Sequence, residues 1–304
     1  MVDLSVKIGS LTLKNPVLTA SGCFGIGREY GELYDLSLLG GIVTKTVTLE
    51  PRSGNPPPRI WETAAGMLNS IGLANPGVDV FIKEEIPFIK KLDCACIVSV
   101  AGKSITEFAA VVGKLDPKKG IDGFELNVSC PNVDSGMAFG TDTVIVAKLV
   151  ETVRAITKKP LWVKLTPNVT DIVSVARAAI NSGADAITAI NTLQAMAVDI
   201  ETGKPQIGNV LSGLSGPAIL PVALAKVYLL RQALPETSII GVGGIANPGD
   251  AIAHMIVGAN AVQIGSGQFP YPRLPLDVIE TVADYCSDRE YISASEITNS
   301  LKTG

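Results

Sequence analysis

Short runs of consecutive apolar residues recur along this chain, and between them apolar positions return every three or four residues. Eight runs read as strands: Pro16–Ala20, Ile42–Lys45, Cys96–Val100, Gly123–Val128, Leu161–Leu165, Ala186–Ile190, Ile239–Val242 and Ala261–Ile264. Continuous rather than alternating hydrophobicity marks strands covered on both faces, as in parallel sheets. Helical periodicity occupies intervening segments such as Thr143–Lys158, Asp171–Ser182, Pro217–Ala233 and Pro248–Gly258. Gly183 and Gly258 stand where two of these helices must stop. Eight alternating strand–helix units predict a (β/α)8 TIM barrel, α/β in class, with residues 1–304 as a single domain. Residues 4–13 read as an N-terminal hairpin turning at Gly9-Ser10 and closing the bottom of the barrel.

Two connections exceed simple βα loops. One is 46–80, with Pro56-Pro57-Pro58 and the stretch Gly66–Leu73; the other is 191–216, rich in Gly, Asn and Thr. Long ordered loops in a compact domain are usually functional. Both follow the C-terminal ends of strands, so both are expected to cover the face where barrels carry their chemistry.

Composition narrows the partners. Of 304 residues, 47% are hydrophobic and 18% charged, with a net charge of −4, which argues against nucleic acid or an anionic membrane surface. No uncharged apolar stretch reaches the roughly 18 residues of a membrane span. Met1-Val2-Asp3-Leu4 lacks the order of a signal peptide, so the expected location is cytoplasmic. Five cysteines, an odd number, argue against a disulfide framework. None forms C-x-x-C, and His254 is the one histidine, so no metal site is expected from this chain. His254 lies in a helical segment and reads as a surface or packing residue.

The candidate chemistry gathers at strand ends. Cys130 sits in Asn127-Val-Ser-Cys-Pro-Asn132, just past the fourth strand, bracketed by amides that both donate and accept hydrogen bonds. A thiol packed in a core is the alternative, but packing needs no such polar company. Gly241-Val-Gly-Gly-Ile-Ala246 satisfies the loose dinucleotide pattern G-x-G-x-x-A, yet it opens the seventh unit, and Asn260 stands where an acidic residue is wanted. A phosphate held by backbone N–H groups after strands seven and eight, the latter supplying Gly265-Ser266-Gly267, and helped by a helix N-terminus, accounts for it better. Glycines for tight turns alone are the alternative. Lys45 and Lys164 end strands inside apolar runs, where a lysine needs an anionic ligand or a salt-bridge partner. Asn69, Asn127, Asn132, Asn191 and Thr192 would join them at the mouth. Many amides with few carboxylates suit a flat heterocycle rather than a metal.

Taken in order, Ala20-Ser-Gly22, Lys45-Thr46, Asn69-Ser-Ile-Gly-Leu73, Asn75-Pro-Gly77, Asn127–Asn132, Lys164-Leu-Thr-Pro167, Asn191-Thr192, Gly213–Pro217, Gly241–Gly244 and Gly265-Ser266 resemble the dihydroorotate dehydrogenase family over nearly the whole chain. The resemblance implies an FMN barrel that oxidises dihydroorotate to orotate in pyrimidine biosynthesis. It implies Cys130 as the general base at C5, hydride transfer from C6 to FMN, and Lys164 steadying negative charge on the flavin. Ser21, Lys45, Thr46, Ser99, Asn127, Lys164, Ile190, Gly216, Gly243, Gly244, Gly265 and Ser266 would contact FMN. Lys45, Asn69, Ser70, Ile71, Gly72, Leu73, Asn127, Asn191 and Thr192 would contact substrate. A cysteine base separates the chain from the membrane-associated class, whose base is serine. The 69–79 and 196–205 segments are similar to the NAD-linked two-subunit class, class 1B. There a partner subunit carrying FAD and a [2Fe–2S] cluster passes electrons to NAD, in a heterotetramer of two plus two. Ala195 and Ser212 depart from that pattern, which usually has glycine at both.

Three rivals remain. A homodimeric, fumarate-linked dihydroorotate dehydrogenase would share Cys130 and differ in its acceptor. An FMN-dependent tRNA uracil reductase needs a basic surface and an added helical domain, against which stand the net charge and the length. A non-catalytic flavin- or phosphate-binding barrel has no use for Cys130, Lys164 and the amides together.

Overall fold

Eight parallel strands close on themselves in sequence order. They are β1 Val17–Thr19, β2 Gly41–Val43, β3 Ala95–Val100, β4 Gly123–Asn127, β5 Leu161–Leu165, β6 Ala186–Ala189, β7 Ser238–Val242 and β8 Ala261–Ile264. Val262 of β8 pairs with Val17 of β1 to complete the barrel. The architecture is a computed structural model that describes residues 2–129 and 139–303; Cys130, Pro131 and Asn132 lie outside the described residues. All eight apolar runs fall on barrel strands, and β1, β2, β5, β6 and β8 are buried at every position.

The flanking helices bury the positions their periodicity selects. Ile105–Leu115 buries Phe108, Val111, Val112 and Leu115; Thr143–Arg154 buries Val146, Leu149, Val150 and Val153; Ile172–Asn181 buries Ile172, Val175, Ala176 and Ala179. Each set follows the i, i+3, i+4, i+7 spacing of one helical face. Side-chain oxygens of Ser104, Asp142 and Asp171 accept from first-turn N–H groups and fix where these helices start. The helix from Thr143 stops at Arg154, four residues before the Lys158 expected from its pattern. The Arg154 guanidinium turns back to donate to the carbonyls of Thr157 and Lys159, folding the chain toward β5. Leu220–Ala233, Pro248–Ile256 and Leu274–Asp288 complete the outer layer. The first connection substitutes two 3-10 turns, Tyr30–Glu32 and Leu36–Leu38, for a helix.

The hairpin Val6–Ile8 with Leu11–Leu13 lies where expected. Gly9 N donates to Ser238 Oγ, and a Cβ on Gly9 would stand 2.8 Å from Asp185 Cβ. Ser238 opens β7 and Asp185 precedes β6, so the hairpin sits against the N-terminal end of the barrel. That leaves the other end for the long connections. They form one layer there: an antiparallel sheet in the order Leu193–Ala195, Ser212–Ser215, Gly66–Asn69, Ile60–Thr63. Ala195 and Ser212, the two departures from the glycine pattern, are register partners, and Ser212 Oγ donates to the Ala195 carbonyl.

Candidate active site

Every barrel strand delivers a singled-out residue to the same end. Ser21 follows β1, Lys45 and Thr46 follow β2, Ser99 is near the end of β3, and Asn127 ends β4. Lys164 is the penultimate residue of β5, Ile190 and Asn191 follow β6, Gly243 and Gly244 follow β7, and Gly265 and Ser266 follow β8. A parallel barrel puts all eight C-terminal ends on one face, which is why residues scattered over the sequence converge.

A chain of hydroxyls lines one side. Ser21 Oγ lies 3.1 Å from Thr46 Oγ1, which lies 3.0 Å from buried Ser99 Oγ. Beside it Lys45 is half-buried, and among the described residues it forms no ion pair. Burial holds its ammonium below the usual lysine range, with Cys23 acting in the opposite sense. Burial pushes the Cys23 thiol up, against the pull of the Lys164 and Lys45 charges. Cys23 therefore lies within electrostatic reach of both lysines, and a Cβ on Gly265 would stand 3.8 Å from its sulfur. A half-buried cation without a carboxylate partner suits an anionic ligand group.

Lys164 reaches into the barrel. Its Nζ donates to Gln263 Oε1 at 3.2 Å and lies 4.0 Å from Glu125 Oε1. Gln263 Nε2 and the Thr188 hydroxyl both donate to Glu125 Oε2, at 2.6 and 2.8 Å. The motifs did not single out Glu125, Thr188 or Gln263. Their signal is a polar residue with apolar neighbours on both sides inside each of three strands, Gly-Phe-Glu-Leu-Asn, Ala-Ile-Thr-Ala and Ala-Val-Gln-Ile.

The amides converge on the β4–β6 side. Asn191 Nδ2 donates to Asn127 Oδ1 at 3.2 Å and to Ser129 Oγ at 2.9 Å, while Asn191 Oδ1 accepts from Thr192 N. Ser129 immediately precedes Cys130 in the sequence. Asn69 Nδ2 donates to the Gly213 carbonyl within the covering sheet. Ser70 Oγ accepts from Asn55 and Asn209, and the Ile71 carbonyl accepts from Asn55 N. Asn69, Ser70 and Ile71 thus bond within the covering layer, and Gly72 packs against Asn55 there. Leu73 packs against the buried core.

The glycine loops are shaped by their neighbours. Gly244 has φ +83, and a Cβ there would meet Leu220 at 2.4 Å, so only glycine lets this loop press against the helix from Leu220. His254, fully buried, places Nε2 3.0 Å from the Gly243 carbonyl oxygen. It is a packing residue, one that holds the loop after β7. The N-terminus of Pro248–Ile256 is closed by its own capping box, and Asp250 also accepts from Ala246 N and Asn247 N. A phosphate at this loop would thus be served by the backbone of Gly243, Gly244, Gly265 and Ser266 rather than by that helix end. The half-buried Lys45, the inward Lys164, the hydroxyl chain and the glycine loops together fit a phosphate-bearing flavin such as FMN.

Comparison with known proteins gives these features a family. A model of the family described as dihydroorotate dehydrogenase matches residues 3–285. The chain is 50% identical over 302 residues to the protein of Thermoanaerobacter pseudethanolicus named dihydroorotate dehydrogenase B (NAD(+)), catalytic subunit, covering 99% of each. It is also 50% identical over 300 residues to the protein of that name from Alkaliphilus oremlandii, covering 98% of this chain and 99% of the relative. Among solved structures, DHODH in complex with ferulenol from Eimeria tenella matches with TM-score 0.82 at 20% identity, over 98% of this chain and 88% of that one. At that identity the likeness concerns the fold alone.

Proposed function

Because the chain belongs to the dihydroorotate dehydrogenase family, we propose that it oxidises dihydroorotate to orotate in pyrimidine biosynthesis, residues 1–304 forming one FMN-binding domain. The observation that carries this reading is the convergence of two lysines and the Asn127–Asn191 pair on one rim, beneath a sheet built from both long connections. FMN, when bound, supplies an acceptor for the hydride that leaves C6 of the substrate. Gly243, Gly244, Gly265 and Ser266 would hold its phosphate. Ser21, Lys45, Thr46, Ser99, Asn127, Ile190 and Gly216 would line its ring, and Lys164 would face negative charge on it.

Cys130 removes a proton from C5, a position acidified by the adjacent carbonyl. Asn127 and Asn191, bonded to one another, hold the pyrimidine edge with Thr192. Lys45 takes the substrate carboxylate, a role supported by its half-buried charge, which has no ion-pair partner among the described residues. Asn69, Ser70, Ile71, Gly72 and Leu73 complete the substrate side, and the covering sheet excludes water from the reacting carbons.

Electrons then pass to a partner subunit carrying FAD and a [2Fe–2S] cluster, and on to NAD, in a cytoplasmic heterotetramer of two plus two. Support comes from relatives named as the catalytic subunit of an NAD(+) enzyme. Among the described residues no helix is long and apolar enough to cross a membrane. The test is anaerobic reduction of the flavin by dihydroorotate, followed by NAD+ or fumarate. Reoxidation by NAD+ only after the second subunit is added supports the two-subunit reading. Reoxidation by fumarate alone moves the chain to the homodimeric class.

A further inference from the structure

We propose that Glu125 is a positioning residue that sets, through Gln263 and Lys164, the reduction potential of the flavin at the barrel mouth. The inference rests on the reading that FMN binds there with Lys164 beside it. Glu125 is fully buried in the middle of β4, where a carboxylate persists only with a counter-charge and donors to its oxygens. Both are present and come from three other strands: Lys164 from β5, Thr188 from β6 and Gln263 from β8. Because β4 and β8 are not neighbours in the barrel, the Gln263–Glu125 bond crosses its interior.

The direction of the bonds matters. Lys164 can only donate, so the Gln263 atom it meets at 3.2 Å is the carbonyl oxygen. The amide nitrogen of Gln263 therefore faces Glu125 and donates at 2.6 Å, and Thr188 donates to the same oxygen at 2.8 Å. The other oxygen, Oε1, is buried with no hydrogen-bond partner among the described residues and is the one 4.0 Å from Lys164 Nζ. Every donor in the network points from the lysine side toward the carboxylate. An amide bridging a cation and an anion is polarised by both, and low local polarity strengthens each bond.

In register Lys164 pairs with rim residue Asn127 on one side and with Thr188 on the other. Its side chain thus spans from the rim level to a carboxylate placed beneath the flavin site, so its positive charge is partly balanced from behind. A full positive charge beside a flavin favours the form carrying two more electrons. Glu125 opposes that preference and holds the potential down. It does so without contact with the flavin itself, because its negative charge offsets that of Lys164 in the field at the ring.

The experiment is the midpoint potential of FMN in the loaded protein, wild type against Glu125→Gln, with flavin content and melting temperature measured alongside. Glu125→Gln keeps the shape and removes the charge. We expect the reduced form to be favoured at least tenfold, an upward shift of about 30 mV or more for a two-electron couple. An unchanged or lower potential with flavin retained overturns the inference and leaves the functional reading standing. Wild type that binds no FMN overturns the functional reading beneath it. If Glu125→Gln does not fold, Lys164→Met is compared with the Glu125→Gln/Lys164→Met double variant, which removes both buried charges. Lys164→Met alone should then show the lower potential by at least tenfold in favour of oxidised flavin, and equal potentials overturn the proposal. A purely structural role would move melting temperature and flavin content but not these potentials.

Discussion

His254 Nε2 lies 3.0 Å from the carbonyl oxygen of Gly243, within the barrel wall and out of reach of solvent. A carbonyl only accepts, so Nε2 carries the proton and the ring is held as one neutral tautomer. The bond ties the helix Pro248–Ile256 to the loop proposed for the FMN phosphate. His254→Ala removes both the bond and the ring volume. It should lower stability by about 2–4 kcal/mol, as large-to-small core changes do, and weaken FMN binding at least tenfold. Thermal melts and a fluorescence titration with FMN check the two effects; wild-type FMN affinity in a folded variant would separate His254 from the loop.

The same histidine predicts an acid-sensitive window. Burial holds its pKa down to about 4, from an ordinary 6.5, against smaller upward contributions from the Gly243 bond and Asp250. The folded state thus prefers neutral His254, while the unfolded chain takes up a proton as pH falls below about 6.5. The stability contribution is complete above pH 6.5, declines between 6.5 and 4, and levels off below 4, amounting to on the order of 3 kcal/mol. Denaturant unfolding of wild type and His254→Phe across that range should show the difference narrowing toward acid; a pH-independent gap would contradict it.

Lys45 carries the half-buried charge assigned to the substrate carboxylate. Hydrogen bonds to charged groups contribute about 1.5–3 kcal/mol. Lys45→Met should therefore lower kcat/KM for dihydroorotate by roughly 10- to 100-fold. A loss below threefold, measured in steady state with a dye acceptor, would remove Lys45 from substrate binding.

The covering sheet leaves no room at Gly213, where a Cβ would stand 2.2 Å from Thr192 Oγ1. Gly213→Ala must displace Thr192 or part the sheet between Asn69 and Gly213, at a cost of about 1–3 kcal/mol. The expected outcome is a KM raised about tenfold or more with FMN content near wild type. An unaltered KM would mean that Thr192 and this part of the sheet do not shape the substrate side.

The barrel was legible because continuous apolar runs such as Leu161–Leu165 have few physical uses besides a strand buried on both faces. The rim followed from it, since residues just past strand ends share one face. Pairings between distant segments were not legible. The two long connections announced themselves by length, but the bond from Asn69 to Gly213 joins positions 144 apart. Gln263 and Glu125 are separated by 138 positions, and each reads in isolation as a polar residue between apolar neighbours. His254 reads from sequence as a surface or packing residue because helical periodicity does not say what a polar side chain on an inner face will meet. The tight loop after β7 was recognisable from Gly241–Gly244, whereas the closure of the adjacent helix end by Asp250 depended on a capping geometry that no glycine pattern encodes.

Rapid anaerobic mixing of the FMN-loaded protein with dihydroorotate, wild type beside Cys130→Ser, tests the central claim most directly by following flavin absorbance. The account predicts that wild type bleaches, while Cys130→Ser keeps its flavin and bleaches at least about 100-fold more slowly, the scale of a lost general base. Wild type that holds no flavin or fails to bleach would contradict the assigned activity, and a variant that bleaches at the wild-type rate would contradict the role of Cys130.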